Sequence, residues 1–288
     1  MSSSATAFPR AIETRGRERY LVAPVVFIAL SALIFAALGA LFGQIFIGAL
    51  VGIAVAIVLT VIAFAKADAV VLRVSNAMPA SEIEHRRLHN VVEGLCVTIG
   101  LQKPDVYVVR DDALNALVVG AGGRSSVVFT TGLINNLDRI QIEGVVAHLL
   151  SRIRGGQVQV LTRVAVLIGA PVLLCESLQR KKWPVSSLLV AVGVLVGPFM
   201  KWLMGNSTVI EADLAACRLT RYPPGLTQGL ETLSLHSTRL HSSSFATTHL
   251  WFADPISREG DASRQVRLHN LFAVHSPLGE RIALLKEL

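Results

Sequence analysis

Long apolar stretches alternate with amphipathic segments along this chain, and the alternation divides it into five parts. Residues 21–42 and 45–64 are two apolar runs, each long enough to cross a hydrocarbon core of about 30 Å. Only Gly43 and Gln44 separate them, so together they predict a transmembrane hairpin over residues 21–66. Arg10, Arg15, Arg17 and Arg19 precede the first run, and Lys66 and Arg73 follow the second. By the positive-inside rule both flanks then lie in the cytoplasm. A cleaved signal peptide is a poorer account of the first run, which is too long and is followed at once by a second. Residues 1–20 are expected to be a disordered cytosolic N-terminus.

Residues 67–159 change character and read as the first part of a cytosolic domain. Periodicity predicts a helix over residues 81–100 with Ile83, Leu88, Val91, Val92 and Leu95 on one face. Short strands are expected at Val106–Val109, Ala116–Val119 and Ser126–Thr130, the last two separated by the turn Gly120-Ala121-Gly122-Gly123. A helix follows with Ile142, Val145, Val146, Leu149 and Ile153 on its buried side. Residues 160–178 and 184–204 form a second hydrophobic hairpin, with Arg180, Lys181 and Lys182 between its arms. If both arms span, this basic loop lies outside against the usual charge bias, and the first hairpin sets the orientation. A shallow, partly inserted hairpin is the other reading. Two spans are preferred, giving four transmembrane helices. Residues 205–288 form the second part of the cytosolic domain, helical at both ends around a Ser/Thr/His-rich loop. The fold class is α+β, mainly helical, with one small sheet.

Composition sharpens this picture. A mean hydropathy of +0.55 with 16% charged residues points to a bilayer. The net charge of +7 is dispersed and aromatic residues are 6% of the chain, so a nucleic-acid platform is excluded and membrane lipid is the expected partner of the basic residues. Cys96, Cys175 and Cys217 are widely spaced and form neither a disulfide framework nor a cysteine-rich zinc site.

The chemistry concentrates at Glu143-Gly144-Val145-Val146-Ala147-His148-Leu149-Leu150-Ser151-Arg152-Ile153-Arg154, preceded by Thr130-Thr131-Gly132-Leu133-Ile134. Asn115-Ala116 with Gly120, then Glu211-Ala212-Asp213, then His249-Leu250-Trp251-Phe252-Ala253-Asp254-Pro255 and His275-Ser276-Pro277-Leu278-Gly279-Glu280-Arg281-Ile282 follow in order. In this order, with hydrophobic pairs on either side of the His148 helix, the segments resemble the HtpX-like integral-membrane zinc metallopeptidases. The resemblance implies a zincin-like metallopeptidase fold, a location in the cell's inner (cytoplasmic) membrane and a role in protein quality control. It also implies that Asn115, Ala116, Leu117 and Val118 form an edge strand lining a substrate groove.

An active site of that class reads H-E-x-x-H: two histidines one turn apart bind Zn²⁺ and the glutamate is the general base. Here His148 keeps the first position, Leu149 stands at the base and Arg152 at the second ligand. Aligning the family's later E-x-x-x-D segment on Asp213 puts the third ligand at Val209. Glu211 is two residues away, turned by about 200° on a helix. Leucine and valine offer no lone pairs, and a guanidinium keeps its proton and repels a dication. No metal is therefore expected, zinc entering only if ligands come from elsewhere. His236, His241 and His249 fit no ligand spacing. His148 reads better as a hydrogen-bonded core histidine than as a ligand. Arg152 is expected to fill the former metal position and pair with Asp213 or Glu211, a solvated helix charge being the alternative.

The resemblance with these replacements implies a catalytically inactive homologue, a pseudoenzyme that binds or scaffolds partners. Those partners would be unfolded membrane proteins, extended peptides or an active homologue. Two alternatives stand beside it: an active zinc endopeptidase of membrane-protein quality control, and a structural subunit of a membrane complex.

Overall fold

A computed structural model describes residues 11–180, 194, 196, 198, 208–241, 243–255 and 275–288. It divides into two compact units, one ending at Ala65 and the other Lys66–Leu288.

The first unit holds α1 (Ala11–Ala40) and the apolar part of α2 (Ile45–Val74), joined by a turn in which Gly43 takes φ +70°. Helix α1 starts inside the segment expected to be disordered; residues 1–10 lie outside the described ones. Among the described residues, one helix, Ile45–Ala63, is long and apolar enough to cross a membrane. Over the span expected at 21–42, α1 continues to Ala40, and its described apolar stretch is Pro24–Ala40.

Four spanning helices are not found among the described residues, and the second hairpin is described almost wholly in its first arm. Its first arm is α6 (Gln157–Leu167) and α7 (Ala170–Arg180), bent by 55° at the break between them. The cause is local: Pro171 cannot donate to Leu167, and its ring crowds that carbonyl. Counted as one broken span, the pair makes a second candidate crossing. The second arm, residues 184–204, lies almost wholly outside the described residues.

The second unit is built on a four-stranded mixed sheet of order β1-β2-β4-β3. Strand β1 (Met78–Pro79), which the sequence reading lacks, pairs antiparallel with β2 (Asp105–Val109), and β2 runs parallel to β4 (Arg124–Thr130). As expected, β4 pairs with β3 (Ala116–Ala121), antiparallel in the register Ala116–Phe129 to Ala121–Arg124. Their turn is Gly122-Gly123, with φ of +58° and +84°, the two positive dihedrals that a tight hairpin turn needs.

Helix α3 (Arg86–Ile99) ends on Gly100 in the left-handed region and buries Leu88, Val91, Val92 and Leu95. Ile83 precedes it and is 85% exposed, so it leaves the face assigned to it. After the short α4 (Thr131–Asn136), helix α5 (Arg139–Arg154) opens on a capping box in which the Asp138 carboxylate accepts from Gln141 N and the Gln141 side chain accepts from Asp138 N. It is buried on nearly every side from Gly144 to Leu150, because α3, β3, α8 (Thr208–Thr220) and α9 (Pro223–Leu235) all pack against it. Gly144 permits the closest approach: a Cβ there would lie 2.6 Å from the backbone nitrogen of Leu226. The 3₁₀ segment Phe245–Leu250 and α10 (Leu278–Lys286) complete the described structure.

Candidate functional site

Helices α5 and α8 meet at His148 and Asp213, although 64 residues lie between these two in sequence. The Nδ1–H of His148 donates to Oδ1 of Asp213 at 2.7 Å, with both side chains within 1% of full burial. Asp213 is gripped from its other side by Arg281 of α10, whose Nε donates to Oδ2 at 2.7 Å and whose Nη2 donates to Oδ1 at 2.8 Å. The third arm of that guanidinium, Nη1, donates to the Phe252 carbonyl at 2.8 Å. The Phe252 ring stands edge-on to His148, with ring centroids 4.8 Å apart, and lies 4.7 Å beneath the Arg281 guanidinium.

The electrostatics follow from this grip. Burial works to raise the Asp213 carboxyl, but Arg281 and then His148 outweigh it and hold its pKa down at about 2. Burial pushes His148 down to about 4 against the pull of Asp213, so the imidazole is neutral. With Nδ1 carrying the proton, Nε2 is a buried lone pair with no protein partner. That is the tautomer a metal-binding histidine adopts when a carboxylate orients it.

The other positions do not complete such a site. Leu149 and Val209 are buried apolar side chains, and Glu211 is half-buried on α8. Arg152 is 6% exposed, but its partnership with Asp213 or Glu211 is not what forms: Nη1 and Nη2 donate to the carbonyls of Leu250 and His249, each at 3.0 Å. The reason is that Arg281 saturates the carboxylate first, while consecutive carbonyls match the spacing of the guanidinium fork. A zinc ion needs three protein donors and an open position; the residues at the four expected positions supply one imidazole, so they do not fit the metal. Among the described residues no group of three His, Cys, Asp or Glu side chains converges as a metal site. His249 instead donates from Nε2 to the Leu161 carbonyl at 3.2 Å. His241 leans on Asp111 at 3.3 Å, and His236 on the Thr232 carbonyl at 2.9 Å.

The expected open edge at Asn115–Val118 is also revised. Strand β3 is the last in the sheet, yet its outer side is taken by the chain itself: Phe252 N donates to the Ala116 carbonyl at 2.7 Å, and Leu117 pairs antiparallel with Trp251. Asn115 binds Ala253 from both ends of its amide, Nδ2 donating to the carbonyl at 2.9 Å and Oδ1 accepting from the nitrogen at 3.1 Å. Sequence reasoning missed Arg281 as the carboxylate's partner. A signal was present, since Leu278, Arg281 and Leu285 share one face of α10 and an arginine on an apolar face needs a buried acid.

A helix-borne histidine oriented by an aspartate from a later helix, beside a small sheet with an edge strand, is the framework of a zincin-type peptidase. The chain belongs to Peptidase family M48, whose family model matches residues 82–288. Within that family it is HtpX-like. It is 31% identical to the protein named Protease HtpX homolog of Dictyoglomus thermophilum, over 97% of this chain and 94% of the relative. The homolog so named from Thermoanaerobacter pseudethanolicus is 30% identical over 91% and 93%, and that of Tropheryma whipplei 31% over 74% and 76%. No solved structure gives a significant match.

Proposed function

We propose that this M48 member works by binding rather than by hydrolysis, holding membrane-protein segments or other extended peptides at the cytoplasmic face of the inner membrane. One observation carries the reading. At the position where the family resemblance expects the second metal ligand stands Arg152, its guanidinium committed to two backbone carbonyls. A fixed positive charge there repels a divalent cation, and Leu149 cannot activate a water. Partners of this kind suit the apolar helix Ile45–Ala63, whose length and composition match a bilayer core.

A second reading, an active zinc endopeptidase, is favoured by one feature: His148 presents a neutral, carboxylate-oriented imidazole with its Nε2 lone pair unused. Metal analysis of the purified full chain, together with cleavage assays on casein and on an unfolded membrane protein with and without added Zn²⁺, separates the two. The binding reading expects no stoichiometric zinc and no cleavage. Stoichiometric zinc lost on His148→Ala, with metal-dependent turnover, overturns it.

A further inference from the structure

We propose that residues 249–255 are a built-in occupant of the β3 edge, held there by Arg152 as a clasp, so that the protein fills its own peptide site. The proposal rests on the binding reading above and names what controls that site.

Seven consecutive carbonyls, those of residues 249 to 255, each accept a hydrogen bond from outside the segment. Arg152 takes the first two. His275 Nε2 donates to the third at 2.8 Å, Arg281 to the fourth, Asn115 to the fifth and Thr238 Oγ1 to the sixth at 2.8 Å. Only the seventh relies on a backbone donor, Leu240 N at 3.0 Å. A chain segment in a helix or sheet satisfies its carbonyls through regular backbone partners. Here side chains from distant positions grip the backbone from the last 3₁₀ turn at His249 and Leu250 onwards, while the edge strand meets it in one antiparallel bridge, Leu117 with Trp251. Backbone contact with an open sheet edge is the contact that strand addition uses.

The occupant also covers the histidine. Phe252 lies against His148, and Leu250, Trp251, Phe252 and Ala253 are all within 1% of full burial. The edge therefore accommodates consecutive bulky apolar side chains followed by a small one, which defines the ligand class as an apolar, aromatic-bearing segment. The clasp residue is itself informative. The arginine that stands in place of a metal ligand is the one that donates to two carbonyls of the occupant, so one replacement both removes a ligand and closes the groove.

The test uses the full chain in detergent micelles and a fluorescent peptide probe with the sequence of residues 249–255. Hydrogen exchange is followed over residues 245–255 and, as a check on folding, over α3. In Arg152→Ala, exchange at residues 250–253 should rise at least tenfold with α3 unchanged, and the probe should bind at least tenfold more tightly than to the wild type. Arg152→Lys keeps the charge and one donor, so it should fall between the two, and it serves if the alanine variant does not fold. Unchanged exchange in both variants overturns the clasp, as does wild-type protein that binds the probe as tightly as the variants. Faster exchange with no probe binding upholds the releasable occupant and sinks the peptide-binding reading alone.

Discussion

Arg281 meets Asp213 through two parallel hydrogen bonds of 2.7 and 2.8 Å, with both side chains at most 1% exposed. The pair is internally neutral, so a proton added to His148 would introduce an uncompensated buried charge. Burial is the leading reason that the imidazole stays neutral beside a carboxylate, and the Arg281 charge adds to it.

Removing one partner should expose that dependence. Arg281→Met leaves a buried carboxylate with only the neutral His148 for support, and breaking a buried pair in this way costs about 3–5 kcal/mol. Chemical unfolding in detergent should report a loss of that order. Adding Asp213→Asn should recover part of it, because the two changes share one interaction. Additive losses would show that the pair is not a unit.

Acid should destabilise the second unit in two stages. His148 and His249 are buried and His275 half-buried, and they are depressed from 6.5 to about 4, 3 and 4 respectively, with desolvation the leading cause. Between about pH 6.5 and 4 the unfolded chain therefore binds protons that the folded chain refuses. Stability is flat above that window and falls within it by about 1.4 kcal/mol per pH unit for each histidine. Below it Asp213 adds a further loss, as pH drops from 3.8 towards its folded value of about 2. Thermal denaturation at a series of pH values checks both stages, and stability that rises on acidification from 7 to 5 would contradict the assignment of neutral imidazoles.

Gly144→Ala should destabilise by about 1–3 kcal/mol, the usual cost of overpacking. Its Cβ would meet backbone atoms of Leu226 at 2.6 and 2.7 Å, which cannot turn aside as a flexible side chain would. Gly94→Ala in α3 meets nothing within 4 Å and should instead stabilise, by up to about 1 kcal/mol. Differential scanning fluorimetry of the two variants should move in opposite directions.

Restoring Leu149→Glu alone should give no activity, since a base without a metal has no water to activate. Restoring Leu149→Glu, Arg152→His and Val209→Glu together rebuilds three protein donors and a base. The triple variant should take up Zn²⁺ measurably and the wild type should not. Equal zinc in both proteins would contradict the Val209 register or reveal a metal site elsewhere.

Much of this framework is legible along the chain. The helix carrying His148 follows from its apolar phase, the β3–β4 hairpin from a glycine-rich turn between two apolar runs, and the meeting of His148 with Asp213 from the order of motifs. The partners of the two arginines are not legible. Periodicity tells which side of a helix is buried, but not which of several distant cations reaches a given acid; that depends on how α5, α8 and α10 assemble. The covering of β3 by Trp251 and Phe252 is equally non-local, joining segments more than 130 residues apart. For the spans, hydropathy gives apolar length, whereas a proline such as Pro171 decides where an apolar helix bends.

The grip on residues 249–255 also orders events in time. Three of its donor residues, Arg152, Asn115 and Thr238, are made before the segment they hold, but His275 and Arg281 follow it. During synthesis at about 5–20 residues per second, Trp251 and Phe252 leave the ribosome with no donors for their carbonyls, and Asp213 waits for its cation still longer. The second unit therefore locks only when Arg281 has emerged. Nascent chains stalled short of it should remain open to protease at residues 249–255, an aromatic stretch that quality-control machinery would meet before its own fold conceals it.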